Sequence, residues 1–280
     1  MTSEIPYLPL PLDQSDITYL PGPDSAPQQG VPAGTVTEHE WSDSAVYPGT
    51  SRRYWVYVPA QYDAAEPAAL VVFQDGDGFL DPEDDLRAAV VLDNLIHRGD
   101  LPVTIGVFVD PGVSEGVTDR KARNAEYDPF DDRYATFLLD EILPEVTGRW
   151  SVTDDHSRWG IGGFSSGGSC ALTVAWQRPD AFQRVICFLP SFAQMPGGNP
   201  YPALIPETPR KPLRVFIQAG HRDLGWNEPE DNWLANTLRV TAALAEAEYD
   251  VRLVLGDGGH DSNHAGALLP DAFRWTFGND

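Results

Sequence analysis

The sequence predicts an α/β fold, built as one eight-stranded, mostly parallel sheet with helices on both faces. Three observations carry that prediction. Six short apolar runs (ALVVFQ, VTIGVFVD, RWGIGGF, RVICFLP, LRVFIQAG and VRLVLG) are continuous rather than alternating, as in strands covered on both sides. Helix-like segments separate most of them, the pattern of parallel strands joined by crossovers. Ahead of them lie GTVTEHEW and RRYWVYVP, two strand-like runs around the turn signal YPGTS, which predict an antiparallel pair.

Taken in order, residues 1–33 are rich in proline, glycine and polar side chains, as in YLPGPDSAPQQGVPAG, and read as an extended arm. Residues 34–280 read as a single α/β domain, and 280 residues suffice for one large core. Helices are expected at DLRAAVVLDNLIHR, DRYATFLLDEILPEVTGRW, SGGSCALTVAWQR, NWLANTLRVTAALAEA and HAGALLPDAFRWTF. In the second, Tyr134, Phe137, Leu138, Ile142 and Val146 keep a helical spacing.

Composition narrows the function classes. The net charge of −23 repels nucleic acid and anionic membranes, so a small-molecule substrate is the expected partner. No apolar run reaches the roughly 18 residues of a membrane span. The N-terminus lacks a basic start and an apolar stretch, so it does not read as a secretory signal. The two cysteines, Cys170 and Cys187, lie in apolar segments and read as buried free thiols. Together these features lead us to expect a cytoplasmic protein. Oligomeric state is not legible.

Ligands of such sheets bind beyond the carboxyl ends of the strands. There the sequence GGFSSGGS joins a strand to a helix, and Gly163-Phe164-Ser165-Ser166-Gly167 fits the G-x-S-x-G nucleophile turn. It lacks the lysine of a phosphate-binding loop. The partners of such a serine follow in the order acid, then histidine. Asp223 lies just after LRVFIQAG, with Glu228 and Asp231 as alternative acids nearby, and Asp231 also reads as the N-cap of the next helix. His260 follows the last strand in a glycine-lined loop. For the oxyanion, the backbone N–H of Ser166 is one expected donor, and Asp77, with Gly76 next, is the expected second.

Other residues have a plain reading beside the functional one. Arg123 and Glu126 are candidate substrate contacts or a surface salt bridge. Trp226 and Trp233 wall an aromatic pocket or pack in the core. His260 and His264 form H-x3-H, but without the helical glutamate of a zinc motif, so no metal is expected. His264 reads instead as the start of the last helix or as pocket lining. Asp75 and Asp77 lack calcium-loop spacing.

Several segments, including YWVYVPAQYD, VFQDG, DNLIHRGDLPVTIGVF, GFSSGG and GDGGHDSNHAGALLPDAFRW, resemble the enterochelin-esterase-like branch of the α/β-hydrolases, related to esterase D. The resemblance runs from about residue 22 to the end. It implies a cofactor-free serine hydrolase of carboxylic esters, with Ser165 as nucleophile and His260 as base. That group often has asparagine after the histidine, where this chain has Asp261. An acyltransferase and a non-catalytic relative on the same fold are the alternatives.

Overall fold

The strand runs form at β1 (Thr35–Trp41), β2 (Thr50–Val58), β3 (Ala69–Gln74), β4 (Thr104–Val109), β5 (Val113–Ser114), β6 (Trp159–Phe164), β7 (Arg184–Phe188), β8 (Arg214–Gly220) and β9 (Asp250–Gly256). These belong to a computed structural model that describes residues 17–114 and 120–278. The main sheet runs β1-β2-β4-β3-β6-β7-β8-β9. β1–β2 and β2–β4 pair antiparallel, and every later neighbour is parallel. Nine strands stand where eight were expected. The addition is β5, two residues paired with Thr50 and Ser51 of β2, too short to leave a periodic signal.

The helices are α1 (Gly76–Leu80), α2 (Ala88–Arg98), α3 (Arg120–Tyr127), α4 (Arg133–Phe137), α5 (Leu143–Thr147), α6 (Ser166–Gln177), α7 (Tyr201–Glu207), α8 (Trp233–Glu246) and α9 (Ser262–Phe277). α4 and α5 realise the single helix predicted there, joined by a π turn at Leu138–Ile142. Pro144, which has no N–H, is the second residue of α5, so the wider turn sits where one helical hydrogen bond is lost.

Alternate residues of β3 feed the two cores. Leu70 and Val72 face the layer that contains Phe137, Leu172 and Val240 of α4, α6 and α8. Val71 and Phe73 face the layer of Phe79, Leu92 and Phe273 from α1, α2 and α9. Phe73 centres the second, with ring centroids 4.4 Å from Phe79 and 5.8 Å from Phe273. Both faces being covered is why β3, β4 and most of β6 and β7 are buried end to end. Cys170 and Cys187 are buried free thiols within this core.

Of the arm read at residues 1–33, residues 1–16 lie outside the described residues. Residues 17–33 contain one 3-10 turn, Pro23–Ser25, and no strand. Asn94 of α2 donates to Asp24 O and Ala26 O, and Asp24 pairs with Arg98 and Arg274. The segment therefore lies along α2 and α9. No helix among the described residues is long and apolar enough to cross a membrane.

Candidate active site

β6 ends at Phe164 and α6 begins at Ser166, which leaves Ser165 alone to turn the chain. Its backbone sits at φ 60°, ψ −125°, a strained region for a residue with a side chain. Neighbours hold it there. Ser165 N–H donates to Phe188 O at 2.9 Å, and Ser165 O accepts from the N–H groups of Gly168, Ser169 and Ser191. The flanking glycines are required by contact: a Cβ on Gly163 would lie 2.4 Å from the carbonyl of Gly167. A Cβ on Gly167 would stand 3.1 Å from Asp75 Oδ2. The Gln74 side-chain NH2, at the end of β3, donates to Gly162 O at 2.7 Å and Gly167 O at 3.1 Å.

Two loops at the same sheet end bring His260 and Asp223 to this turn. His260 Nε2 is 3.0 Å from Ser165 Oγ, and Nδ1 is 2.7 Å from Asp223 Oδ1. Asp223 is buried, and its Oδ1 also accepts from Leu224 N–H at 2.8 Å. The imidazole is flanked by Trp233, edge-on at 4.8 Å, and Phe164 at 5.1 Å. Glu228 and Asp231 are exposed on the same loop. The helix cap expected at Asp231 is Asn232 instead, whose Oδ1 accepts from Ala235 N–H at 2.7 Å. Asn232 has the extended backbone a cap needs, one residue later than the sequence pattern suggested.

The Ser166 hydroxyl points inward, 3.4 Å from both Asn124 Nδ2 and Ser191 Oγ. Its backbone N–H lies in the first turn of α6, where no intrahelical acceptor exists. The two expected second donors differ in the hydrogen bonds their N–H groups make. Asp77 N–H already donates to Asp110 Oδ1 at 3.0 Å, and burial pushes the Asp110 carboxyl up. Gly76 N–H has no acceptor among the described residues and follows Asp75, whose left-handed backbone (φ 57°, ψ 52°) turns the chain into α1.

A cavity of about 620 Å³ opens over Ser165 and His260. Phe79, Leu86 and Phe164 give it apolar walls, and Asp75, Asp84, Asp85 and Asp261 line the rest. Arg123 is its only lining cation among the described residues. Its Nε and Nη2 each donate to Asp75 at 2.6 Å, and Nη2 also reaches Phe164 O at 3.3 Å.

The remaining predicted contacts lie elsewhere. Glu126 does not line the cavity; it accepts from Arg52 at 2.7 and 3.0 Å, and both side chains are buried. Trp226 is 51% exposed, with the Arg222 guanidinium 4.4 Å from its ring. Trp233 is buried and packs on His260 rather than lining the cavity. His264 is buried under Tyr19, its Nδ1 3.0 Å from Gln218 Nε2. Desolvation lowers its imidazole to about 4. No group of three or more possible metal ligands occurs among the described residues. Sequence reasoning missed Asp110, Asp84, Asp85 and Tyr19. Asp110, directly after a strand in VFVDPG, carried a usable positional signal.

The family model described as putative esterase matches residues 45–277. The chain is 26% identical, over 264 residues, to an iron(III) enterobactin esterase of Dickeya dadantii, covering 89% of this chain and 56% of that protein. It therefore spans little more than half the length of that curated relative. An enterobactin esterase of Shigella flexneri superposes with a TM-score of 0.72 at 24% identity, covering 91% of this chain and 61% of that one. A ferulic acid esterase of Anaeromyces mucronatus gives a TM-score of 0.70 at 18% identity, with 93% and 97% covered. With the family match running over residues 45–277, the chain belongs to the putative esterase family, and its fold is that of these solved esterase structures.

Proposed function

We propose that the protein hydrolyses carboxylic esters through Ser165, His260 and Asp223. The observation that carries this reading is the continuous hydrogen-bond path from Asp223 through His260 to Ser165, at 2.7 and 3.0 Å, ending on a strained turn. His260 Nε2 takes the Ser165 proton as Oγ attacks the ester carbonyl. Asp223 fixes the proton of His260 on Nδ1 and stabilises the cation that forms. The N–H groups of Ser166 and Gly76 receive the developing oxyanion. The imidazolium then protonates the leaving alcohol. Water, deprotonated by the same imidazole, attacks the acyl-enzyme, and its collapse frees the acid and Ser165.

The cavity's charge supports an uncharged ester as substrate. Its four carboxylates face one guanidinium, and that guanidinium is already held by Asp75. A substrate anion about 5 Å from one such carboxylate is disfavoured by roughly 1–3 kcal/mol, depending on solvent access. A polyanionic ferric siderophore ester meets that penalty several times over, whereas a neutral aryl or sugar ester avoids it. A hydrolysis screen with matched neutral and anionic esters tests both parts. Turnover of neutral esters that vanishes in Ser165→Ala is expected, with anionic partners at least about tenfold poorer in kcat/KM at low salt. No ester turnover contradicts the hydrolase reading. Equal or better turnover of the anionic member contradicts the substrate reading alone.

A further inference from the structure

The loop that carries His260 has little of its own to hold it. It runs from Asp257 to Asp261, between β9 and α9, and places Gly258 and Gly259 directly before the histidine. Gly258 sits at φ +95°, open to glycine and costly for other residues. Two adjacent glycines give a chain more conformations to lose on ordering than any other pair. Yet His260 has to meet both Ser165 and Asp223 at hydrogen-bond distance, so something must fix the ends of the loop.

A single residue from the N-terminal segment touches both ends, with its side chain and its backbone. The Tyr19 hydroxyl accepts from Asp257 N–H at 2.8 Å, where the loop begins. Tyr19 N–H donates to Asn263 Oδ1 at 3.0 Å, just beyond where the loop ends. Its ring stacks on His264 in the first turn of α9, with centroids 3.9 Å apart and planes within 16°. His264 is tied in turn to Gln218 of β8, the strand that leads to Asp223. The segment is itself anchored further along, where Asp24 and Ala26 bind α2 and α9. The backbone contacts from His221 and Arg222 to Gly256 and Gly258 support only the first half of the loop. Tyr19, Asp24 and Ala26 all lie ahead of residue 45, where the match to the family begins.

We infer that Tyr19 is a positioning residue for His260: the N-terminal segment is a strap that braces the histidine loop from outside the family core. The catalytic consequence rests on the hydrolase reading above; the bracing itself does not. Tyr19→Phe removes the hydroxyl and keeps the stack, and Tyr19→Ala removes both. Amide hydrogen exchange and steady-state kinetics on the full chain, well below the melting temperature, test the inference. Exchange at Asp257 through Asn263 is expected to quicken on the order of tenfold in Tyr19→Phe and further in Tyr19→Ala, with β3 and β6 unchanged. With a neutral aryl ester, kcat should fall in the same order, on the order of tenfold in Tyr19→Ala, while KM stays within about twofold. A residue that only adds stability would lower the melting temperature and leave kcat and the loop's exchange as they were. Wild-type exchange in the loop of Tyr19→Ala overturns the brace, whatever the enzyme's activity. Quickened exchange with unchanged kcat overturns the positioning role, and a wild-type protein that hydrolyses no ester contradicts the hydrolase reading instead.

Discussion

Two glycine-rich stretches meet at the candidate active site, and they are glycine-rich for opposite reasons. At the Ser165 turn the glycines permit packing: a Cβ on Gly163 would strike the Gly167 carbonyl at 2.4 Å. In the His260 loop a Cβ on Gly259 would meet only Arg222 O, at 3.3 Å, and one on Gly258 only Ile17 O, at 3.8 Å. The first stretch is rigid because the sheet and α6 leave it no alternative. The second is placed from outside, by Asp223, Trp233 and the contacts around Tyr19. Ser165, the proposed nucleophile, is thus held by its own backbone, and His260, the proposed base, by side chains distant in sequence.

The largest effect should come from cutting the outside support closest to the chemistry. Asp223→Asn leaves His260 with the wrong proton arrangement, and kcat should fall on the order of 10³- to 10⁴-fold, with little change in melting temperature. A near-normal kcat, or the same loss at Glu228→Gln, would move the acid elsewhere. Next is the internal support. Gly163→Ala should destabilise by at least about 1–3 kcal/mol in urea melts, because the atoms it meets are backbone. Gly259→Ala, the matching change in the loop, should stay within about 0.5 kcal/mol. Equal costs at the two glycines would erase the distinction between the stretches.

A pH effect sharpens the comparison on the loop side. Burial lowers His264 to about 4, below the 6.5 expected when unfolded. Between those values the unfolded chain binds more protons, so this residue's share of stability is present above about pH 6.5 and drains as pH falls toward 4. His264→Gln should therefore lose less stability than wild type between pH 7 and pH 4.5, and parallel losses would contradict the assignment. The smallest expected change is at the cap of α8. Asn232→Ala should cost about 0.5–2 kcal/mol, and Asp231→Asn close to nothing, the reverse of what the sequence pattern implied.

What the sequence disclosed follows the same division. Strands covered on both faces are continuous apolar runs, so ALVVFQ and RVICFLP were readable without partners. The Ser165 turn is local, and its glycine spacing is written within five residues. The placement of Asp223 and His260 near Ser165 was legible because each follows a strand at the same end of the sheet. What failed depended on distant partners or on short polar segments. The partner of Glu126 is Arg52, on β2, and the Asp77 N–H is taken by Asp110, after β4. α1, α3 and α7, of five, eight and seven residues, are too short for periodicity to separate from loops. Tyr19 sits in a proline-rich run whose composition says nothing of what it touches.

The central claim is that the strained turn presents Ser165, and not its neighbour Ser166, as the nucleophile. Labelling with an active-serine fluorophosphonate, followed by mass spectrometry of the peptide spanning Phe164 to Gln177, tests it most directly. The account predicts one adduct on Ser165, lost in Ser165→Ala and retained in Ser166→Ala, since the Ser166 hydroxyl faces Asn124 and Ser191. An adduct on Ser166, or none on the folded wild-type protein, would contradict it.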